Sequence, residues 1–225
     1  AILREECPDI YVTLSHQVCP EIREYERTST TVANAYIQPL MAGYLRNMEA
    51  RLKEIGLQGP LLMIMSSGSL TSVDTATRFP IRLVESGPAG GAILGQHLAK
   101  ELAAPQAIAL DMGGTTAKII LLNGYEPRHS RSMEVARVCR FLPGSGLPLR
   151  IPVIEMIEIG AGGGSIAEID VLGRIKVGPE SAGSAPGPAC YGLGGDQPTV
   201  TDADLVLAKL DPDSFAGGTM TLGDG

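Results

Sequence analysis

Apolar side chains recur with helical spacing along residues 33–55, and this spacing predicts a long helix. Thr30 or Thr31 is suited to cap its start, and Gly56 is suited to end it. Pro39 lies inside the pattern and predicts a kink or a break, because proline cannot donate the helical hydrogen bond. The apolar positions are Ala33, Ile37, Leu40, Met41, Tyr44, Leu45, Met48, Leu52 and Ile55.

Shorter apolar runs predict strands elsewhere in the chain. The run at 61–65 is wholly apolar, which is typical of a buried parallel strand. A second helix is predicted from Ser86, its expected N-cap, to Leu102, and a third over 202–210, capped by Thr201 or Asp202. Because βα units alternate with hairpins, the predicted fold class is α/β. The other predicted strands are 107–110, 117–122, 156–159, 166–171 and 174–177, and the last two are predicted to form a hairpin about Leu172-Gly173.

Two segments show neither helical nor strand periodicity. Residues 123–150 combine arginines, prolines and an Asn-Gly pair, and they are predicted to form an excursion at the surface. Residues 178–199 are rich in glycine and proline, and they are predicted to form an irregular segment that is either ordered or mobile. The length of 225 residues suggests one large domain or two small ones, which contain both segments.

Composition narrows the function classes. The 225 residues contain 18 Lys and Arg against 25 Asp and Glu, so the net charge is −7, which argues against nucleic-acid and anionic-membrane partners. No apolar run is long enough to cross a membrane. The four cysteines lack metal-ligand spacing, which predicts free thiols and a cytoplasmic protein. The 28 glycines gather in clusters, which indicates loops where the backbone closely approaches another group.

The sharpest cluster is the segment Asp-Met-Gly-Gly-Thr-Thr at 111–116, between two predicted strands. It matches neither the Walker nor the Rossmann loop, since both of those run into a helix. Gly113 and Gly114 permit positive φ and a close approach, and successive amides with the hydroxyls of Thr115 and Thr116 could bind phosphate. Asp111 could hold Mg²⁺ through water or orient a nucleophile. The alternative is a tight hairpin with a capping aspartate.

Two further glycine clusters are candidate nucleotide contacts. The loop 160–165 could lie against a base or a ribose, or it could be a turn that needs glycine for packing. The cluster at 87–91 opens a helix whose free amides could meet a phosphate, or it could simply be a capped helix start. The candidate residues in these clusters are Gly162, Gly163, Gly164, Ser165, Gly87 and Gly90.

Three side chains near the C-terminus could also carry chemistry. Cys190 could be a nucleophile, but no histidine lies close in sequence to activate it, so a structural thiol is favoured. Asp202 and Asp204 could bind a metal, but they are expected to be first-turn acids stabilised by the helix dipole.

Several of these segments resemble the hydantoinase A / 5-oxoprolinase family, which lies within the superfamily of actin-like ATPases and sugar kinases. The resemblance covers nearly the whole chain, and its last segment is long enough to be highly specific. The similar segments are REYERTSTTVANAYIQPL (23–40), ESGPAGGAILG (85–95), ALDMGGTTAKI (109–119), IGAGGGSIAEID (159–170) and the stretch 177–218.

The resemblance implies a ribonuclease H-like, actin-type α/β fold. The family's usual chain is longer and carries an earlier Asp-x-Gly-Gly-Thr loop in an N-terminal lobe. This chain has one such loop, and its position matches the second one. The resemblance therefore implies that residues 1–225 are mostly the second lobe of a hydantoinase A-type protein, and that this fragment alone is inactive.

The resemblance also implies an activity, the ATP-dependent opening of a cyclic amide or imide through a phosphorylated intermediate. Hydantoin, N-methylhydantoin and 5-oxoproline are the substrates of this class. Gly113 to Thr116 would hold ATP phosphates, Asp111 would organise Mg²⁺ or water, and Gly162 to Ser165 would lie near the adenosine. The expected partners are the missing lobe and a hydantoinase B-type subunit. The alternatives are an acetone carboxylase-type subunit, a small-molecule kinase and a non-catalytic binding domain.

Overall fold

A computed structural model describes residues 2–139, 142 and 144–223 of the chain, apart from the side chain at position 4. The chain divides into two compact units. The first consists of Ala1–Ala107 and Leu121–Glu155, and the second of Ile108–Ile120 and Met156–Gly225. Among the described residues, no helix has the length and apolar character needed to cross a bilayer.

The first unit is organised around a long helix, α3. Leu45 of α3 is fully buried and packs with Val73 and Ala76 of α4. The Asn34 side chain donates to the carbonyl of Arg78 and accepts from the Ile81 amide. The helices are α1 (Ile2–Glu6), α2 (Ser15–Val18), α3 (Glu24–Glu54), α4 (Val73–Arg78) and α5 (Ser86–Glu101).

The long helix differs from its prediction at its start, where the expected caps Thr30 and Thr31 lie inside the helix, and at Pro39. It begins nine residues before Ala33 (33 − 24 = 9) and continues through Pro39 without a break. Proline removes one helical hydrogen bond. The side chains of Asn34 and Gln38 anchor the helix to the carbonyls of Arg78 and Thr77, on the turn of helix around Pro39. Tertiary packing therefore stabilises the helix where local propensity opposes it.

The predicted parallel strand at 61–65 is wrong in its pairing and its burial. Strand β1 (Leu62–Ile64) pairs antiparallel with β2 (Leu70–Ser72), and Leu62 is 48% exposed. Gly68 in the connecting turn has a φ of 81°, a conformation that glycine adopts without steric cost. The apolar run thus forms one side of a short hairpin.

The predicted excursion at 123–150 is structured and partly buried. Leu149 is 1% exposed and packs with Val18 and Ile81 in a core cluster of the first unit. The Arg150 amide also donates to the buried Thr30 hydroxyl of α3. Antiparallel pairs β6–β9 and β7–β8 organise this region. Its strands are β5 (Glu126–Pro127), β6 (His129–Ser130), β7 (Met133–Val135), β8 (Leu147–Leu149) and β9 (Val153–Ile154).

The turn that carries the candidate site lies in the second unit, between two hairpin strands whose residues are divided between the two units. Strands β3 (Gln106–Met112) and β4 (Ala117–Asn123) are neighbours in a sheet, and β10 (Ile157–Ile159) pairs antiparallel with β4. One face of the sheet is apolar yet exposed to solvent. Its exposed side chains include Ile108, Leu110, Met112, Ile157 and Ile159.

A second hairpin and one helix complete this unit. Strand β11 (Ser165–Ile169) pairs antiparallel with β12 (Ile175–Ser181), as the sequence predicts. The closing helix α6 (Val200–Val206) begins two residues before the predicted start, because Thr199 is its cap. The chain thus combines helices with β-sheets, which confirms the predicted fold class as a mixed helix and sheet class.

Candidate functional site

The turn between β3 and β4 presents hydrogen-bonding groups that the protein itself does not use. The turn is closed by the Gly113 amide, which donates to the Thr116 carbonyl at 2.9 Å. Within the described part of the chain, no hydrogen bond uses the amides of Gly114, Thr115 and Thr116 or the two threonine hydroxyls. Gly114 and Thr115 are exposed and Thr116 is half-buried. Such a cluster of free donors is suited to anionic oxygen atoms.

Backbone conformation does not explain why glycine occupies positions 113 and 114 of this turn. Neither Gly113 nor Gly114 has a positive φ, so the expectation that they serve that purpose is wrong. A side chain at Gly114 would meet nothing within 4 Å, and one at Gly113 would make only an ordinary contact with the Thr116 carbonyl, at 3.7 Å. No protein atom therefore requires glycine at either position, and the expected approach of a ligand stays a prediction.

Asp111 is the penultimate residue of β3 and is half-buried. No hydrogen bond or ion pair between described residues involves its carboxylate, which is therefore free to accept from a ligand or a bound water. No group of three potential metal ligands occurs among the described residues. A cation at Asp111 would therefore complete its coordination with waters and ligand oxygens, as Mg²⁺ commonly does.

The loop 160–165 packs directly against the turn. The Gly163 amide donates to the Gly113 carbonyl at 2.9 Å, and the Gly164 amide donates to the Gly114 carbonyl at 2.8 Å. A Cβ on Gly162 would lie 2.5 Å from the Thr115 nitrogen and 2.6 Å from the Gly113 oxygen. These contacts favour the packing interpretation of this loop, since two of its amides are already engaged. The predicted adenosine contact stays a prediction.

Ser165 closes the same loop from within. Its side chain is fully buried, and its hydroxyl oxygen accepts from the Gly162 amide at 2.9 Å. The Ser165 amide in turn donates to the Gly162 carbonyl at 3.0 Å. This reciprocal pair holds Gly162 against the turn, so the contribution that the structure shows for Ser165 is to the shape of the loop.

Gly87 and Gly90 lie in the first unit, at the start of α5, and the turn at 113–116 lies in the second. Glu85, rather than the predicted Ser86, occupies the cap position, with a left-handed backbone. Gly87 is exposed and has open space around its Cα, whereas a Cβ on Gly90 would contact Ile64 at 3.2 Å. A packing reason therefore accounts for Gly90 and none accounts for Gly87.

A network at the start of α6 supports the loop and was not predicted as part of the site. The Thr201 amide donates to the Gly163 carbonyl at 2.8 Å, and the Ala182 amide donates to the Gly164 carbonyl at 2.8 Å. Thr199 and Asp202 form a reciprocal capping box. The spacing Thr-x-x-Asp is the sequence signal that could have located this cap.

Cys190 is held in the same network as a structural group. The Asp202 carboxylate accepts from the Cys190 amide at 2.8 Å. Burial of the Cys190 thiol and its hydrogen bond with Asp202 raise its pKa to about 12. Burial alone would raise the pKa of Asp202 as well, but hydrogen bonds from Cys190 and Thr199 outweigh it and hold that pKa below its ordinary value. A protonated, buried thiol is a poor nucleophile, which supports the structural interpretation.

A family model and individual relatives among known proteins agree on the family to which this chain is similar. The hydantoinase/oxoprolinase family model matches residues 27–224. Caprolactamase subunit alpha of Pseudomonas jessenii is 39% identical over 222 residues, which is 99% of this chain and 31% of that protein. The 5-oxoprolinase of Dictyostelium discoideum is 33% identical, over 91% of this chain and 16% of that protein.

Two solved structures resemble the computed model over most of its length. The crystal structure of the ATP-dependent caprolactamase from Pseudomonas jessenii superposes with a TM-score of 0.71 at 38% identity, over 99% of this chain and 31% of that one. A nucleotide-free structure of acetone carboxylase, from work on its ATP-dependent mechanism, gives 0.70 at 28% identity, over 93% and 28%. The chain thus spans about a third or less of the relatives and structures it matches.

Proposed function

The chain belongs to the hydantoinase/oxoprolinase family, and from this premise we propose that it forms part of the ATP site of an enzyme that opens a cyclic amide. The turn at 113–116 binds ATP phosphates, and Asp111 organises the Mg²⁺ or water beside them. The observation that carries the proposal is the row of unused amides at Gly114, Thr115 and Thr116, next to an aspartate without a partner among the described residues.

The proposed chemistry explains why such an enzyme needs ATP. A lactam carbon is a poor electrophile, because resonance with nitrogen gives the C–N bond partial double-bond character. In the proposed step, the lactam oxygen attacks the γ-phosphorus and ADP leaves. Water then attacks the activated carbon, the C–N bond breaks as nitrogen takes up the two protons of that water, and an acyl phosphate forms. A second water attacks the acyl carbon, and phosphate departs with the former carbonyl oxygen. Phosphoryl transfer depends mainly on the positioning of the reacting groups and on the stabilisation of charge on the phosphates. A phosphate-binding turn contributes to both.

The residues of the turn have separate tasks in this proposal. The amides of Gly114 and Thr115 donate to phosphate oxygens, and the threonine hydroxyls add donors that rotate to suit the ligand. Asp111 accepts hydrogen bonds from the waters that Mg²⁺ retains. Mg²⁺, when bound, neutralises charge on the phosphates. The arrangement therefore fits a metal–nucleotide pair without a protein cage of metal ligands.

The remainder of the enzyme is proposed to come from polypeptide beyond residues 1–225 and from a partner subunit. The caprolactamase relative is a subunit, as is the acetone carboxylase beta subunit of Xanthobacter autotrophicus. The exposed apolar face of the β3–β4–β10 sheet supports this proposal, since a contiguous apolar face is unusual at a free surface. An actin-type second lobe is the architecture that we propose for the assembled protein.

A second candidate function is carbonyl activation in an acetone carboxylase-type enzyme. The similarity to acetone carboxylase, with a TM-score of 0.70, favours it over a sugar kinase or a binding domain. Both candidate functions begin with the transfer of phosphate to an oxygen of the substrate. They differ in the next step. In the first, water attacks the activated carbon. In the second, the enol phosphate of a ketone releases its phosphate to water, and the enolate carbon attacks CO₂ derived from bicarbonate to form the new C–C bond.

Isotope transfer tests the proposed reaction. The full-length protein is incubated with its partner subunit, Mg²⁺-ATP and a lactam or hydantoin labelled with ¹⁸O at the carbonyl. We expect lactam-dependent ADP release and ¹⁸O in the phosphate product, since the carbonyl oxygen leaves on phosphorus. Ring opening with unlabelled phosphate would contradict the proposed departure of phosphate with the carbonyl oxygen. ADP release only with a ketone and bicarbonate would favour the second candidate, and phosphorylated sugar would indicate a kinase.

Gly114→Ala separates ligand approach from folding. The added methyl group meets no atom within 4 Å in the ligand-free protein, so the free energy of unfolding should change by less than about 0.5 kcal/mol. It would occupy space that the proposed phosphates need, so we expect the KM for ATP to rise about tenfold, which corresponds to about 1.4 kcal/mol. ATP turnover and thermal denaturation of the same preparation measure the two effects. An unchanged KM would place the nucleotide elsewhere.

A further inference from the structure

Two parallel chains of backbone hydrogen bonds connect the glycine- and proline-rich segment to the turn. In the first, the Thr201 amide donates to the Gly163 carbonyl, and the Gly163 amide donates to the Gly113 carbonyl. In the second, the Ala182 amide donates to the Gly164 carbonyl, and the Gly164 amide donates to that of Gly114. The four distances lie between 2.8 and 2.9 Å. The loop 160–165 therefore lies between the turn and these outer residues and is hydrogen-bonded to both.

Asp202 fixes the outer end of the first chain, at Thr201. Its carboxylate accepts from the Cys190 amide at 2.8 Å, from the Thr199 amide at 2.7 Å and from the Thr199 hydroxyl at 2.8 Å. Thr199 is 2% exposed, and its hydroxyl accepts from the Asp202 amide in return. These four bonds set the direction in which α6 begins, and the Thr201 amide that reaches the loop lies between the two bonded residues.

The irregular segment is also attached to the hairpin behind the loop. The Ala167 amide donates to the Pro198 carbonyl at 2.8 Å, and Ile166 forms an isolated antiparallel bridge with Thr199. The segment between β12 and α6 thus meets β11 immediately before the capping box. The path of this segment is therefore fixed both at the loop 160–165 and at the β11–β12 hairpin.

We propose that Asp202 is a positioning residue, which acts through the capping box and the loop 160–165 to hold the turn at 113–116 in its ligand-binding geometry. The purpose of that geometry rests on the proposed function. The mechanical link itself rests on the hydrogen bonds alone. Because Thr201 lies between Thr199 and Asp202, the loss of the capping box displaces the Thr201 amide and weakens its bond to the loop.

Amide hydrogen exchange and kinetics test the proposal with Asp202→Asn in the full-length protein. The asparagine side chain has one accepting oxygen instead of two, and its NH2 group only donates, so it must lose its bonds to either Cys190 or Thr199. We expect the amides of Gly163 and Gly164 to exchange about tenfold faster, with exchange in the first unit unchanged. We expect the KM for ATP to rise and kcat to fall, since the turn loses its alignment.

A second pair of variants separates positioning from a general loss of stability. Thr199→Ser keeps the hydroxyl and should behave like the parent protein, whereas Thr199→Val removes it and should reproduce the effect of Asp202→Asn. Asp204→Asn is the matched control, because Asp204 lies in the same helix and, among the described residues, its carboxylate bonds only Lys209 at the surface. Its exchange and kinetics should match those of the parent protein.

The exchange measurement decides the proposal whether or not ATP is the ligand. Unchanged exchange at Gly163 and Gly164 in both Asp202→Asn and Thr199→Val would overturn the positioning role, as would faster exchange spread evenly over both units. If the parent protein turns over no ATP, the proposed function fails. Faster local exchange in the variants would then still support the mechanical link to the turn.

Discussion

Asp111→Asn is expected to reduce ATP turnover by about 10²–10⁴-fold, the range over which a positioned acid–base group contributes to catalysis. Asparagine keeps the size of the side chain but removes the negative charge that would orient water or the hydration shell of Mg²⁺. No hydrogen bond or ion pair between described residues involves the Asp111 carboxylate, so the free energy of unfolding should change by less than about 0.5 kcal/mol. Steady-state ADP release and denaturant unfolding measure these two effects.

The control for this prediction is Asp196→Asn. Asp196 is exposed and lies in the same unit, so the same change of charge should leave turnover unaltered. A turnover loss in Asp111→Asn together with a large loss of stability would indicate a structural aspartate, as in the hairpin interpretation. Full turnover in Asp111→Asn would remove Asp111 from the proposed site.

The order of elements around the site could be predicted from the sequence. Apolar β-branched runs on both sides of Asp111–Thr116 indicated a hairpin, and the structure has β3 and β4 there. The alternation before Leu172-Gly173 and after it indicated the β11–β12 hairpin for the same reason. These features depend on residues close in sequence, and local patterns predict such features well.

Features that depend on distant residues could not be predicted. The apolar run at 61–65 has the composition of a buried strand, but its neighbour in space is β2, and no pattern within the run encodes that pairing. The continuation of α3 through Pro39 depends on bonds from Asn34 and Gln38 to residues near position 78. Tertiary contacts outweigh local propensity in both cases.

The glycines of the site also show what local sequence predicts and what depends on distant residues. The sequence indicated that the backbone closely approaches something at Gly113 and at Gly162, and the structure distinguishes the two. Gly162 is required by the protein itself, because its Cα faces the backbone of the turn, whereas Gly113 and Gly114 face open space. Composition could not tell a glycine that admits a neighbouring loop from one that admits a ligand, since both need only the absence of a Cβ.

Gly162→Ala is expected to lower both stability and ATP turnover strongly, although it changes none of the groups that are proposed to contact the ligand. The new Cβ would lie 2.5–2.6 Å from the Thr115 nitrogen, the Gly113 oxygen and the Gly114 carbonyl carbon, all of them backbone atoms. The turn must therefore move. We expect a loss of about 1–3 kcal/mol in the free energy of unfolding, as in overpacked cores. A displacement of about 1 Å at the phosphates would lower ATP turnover about 100-fold.

Thermal denaturation and ATP turnover of Gly162→Ala, compared with Gly91→Ala, test this expectation. Gly91 is exposed in α5 and has no atom within 4 Å of the added methyl group, so its alanine variant should be more stable by about 0.5–1 kcal/mol and fully active. If Gly162→Ala were as stable and as active as Gly91→Ala, the loop 160–165 could not be packed on the turn as described. The positioning role of Asp202 would then fail with it, because the loop is the link through which Asp202 acts.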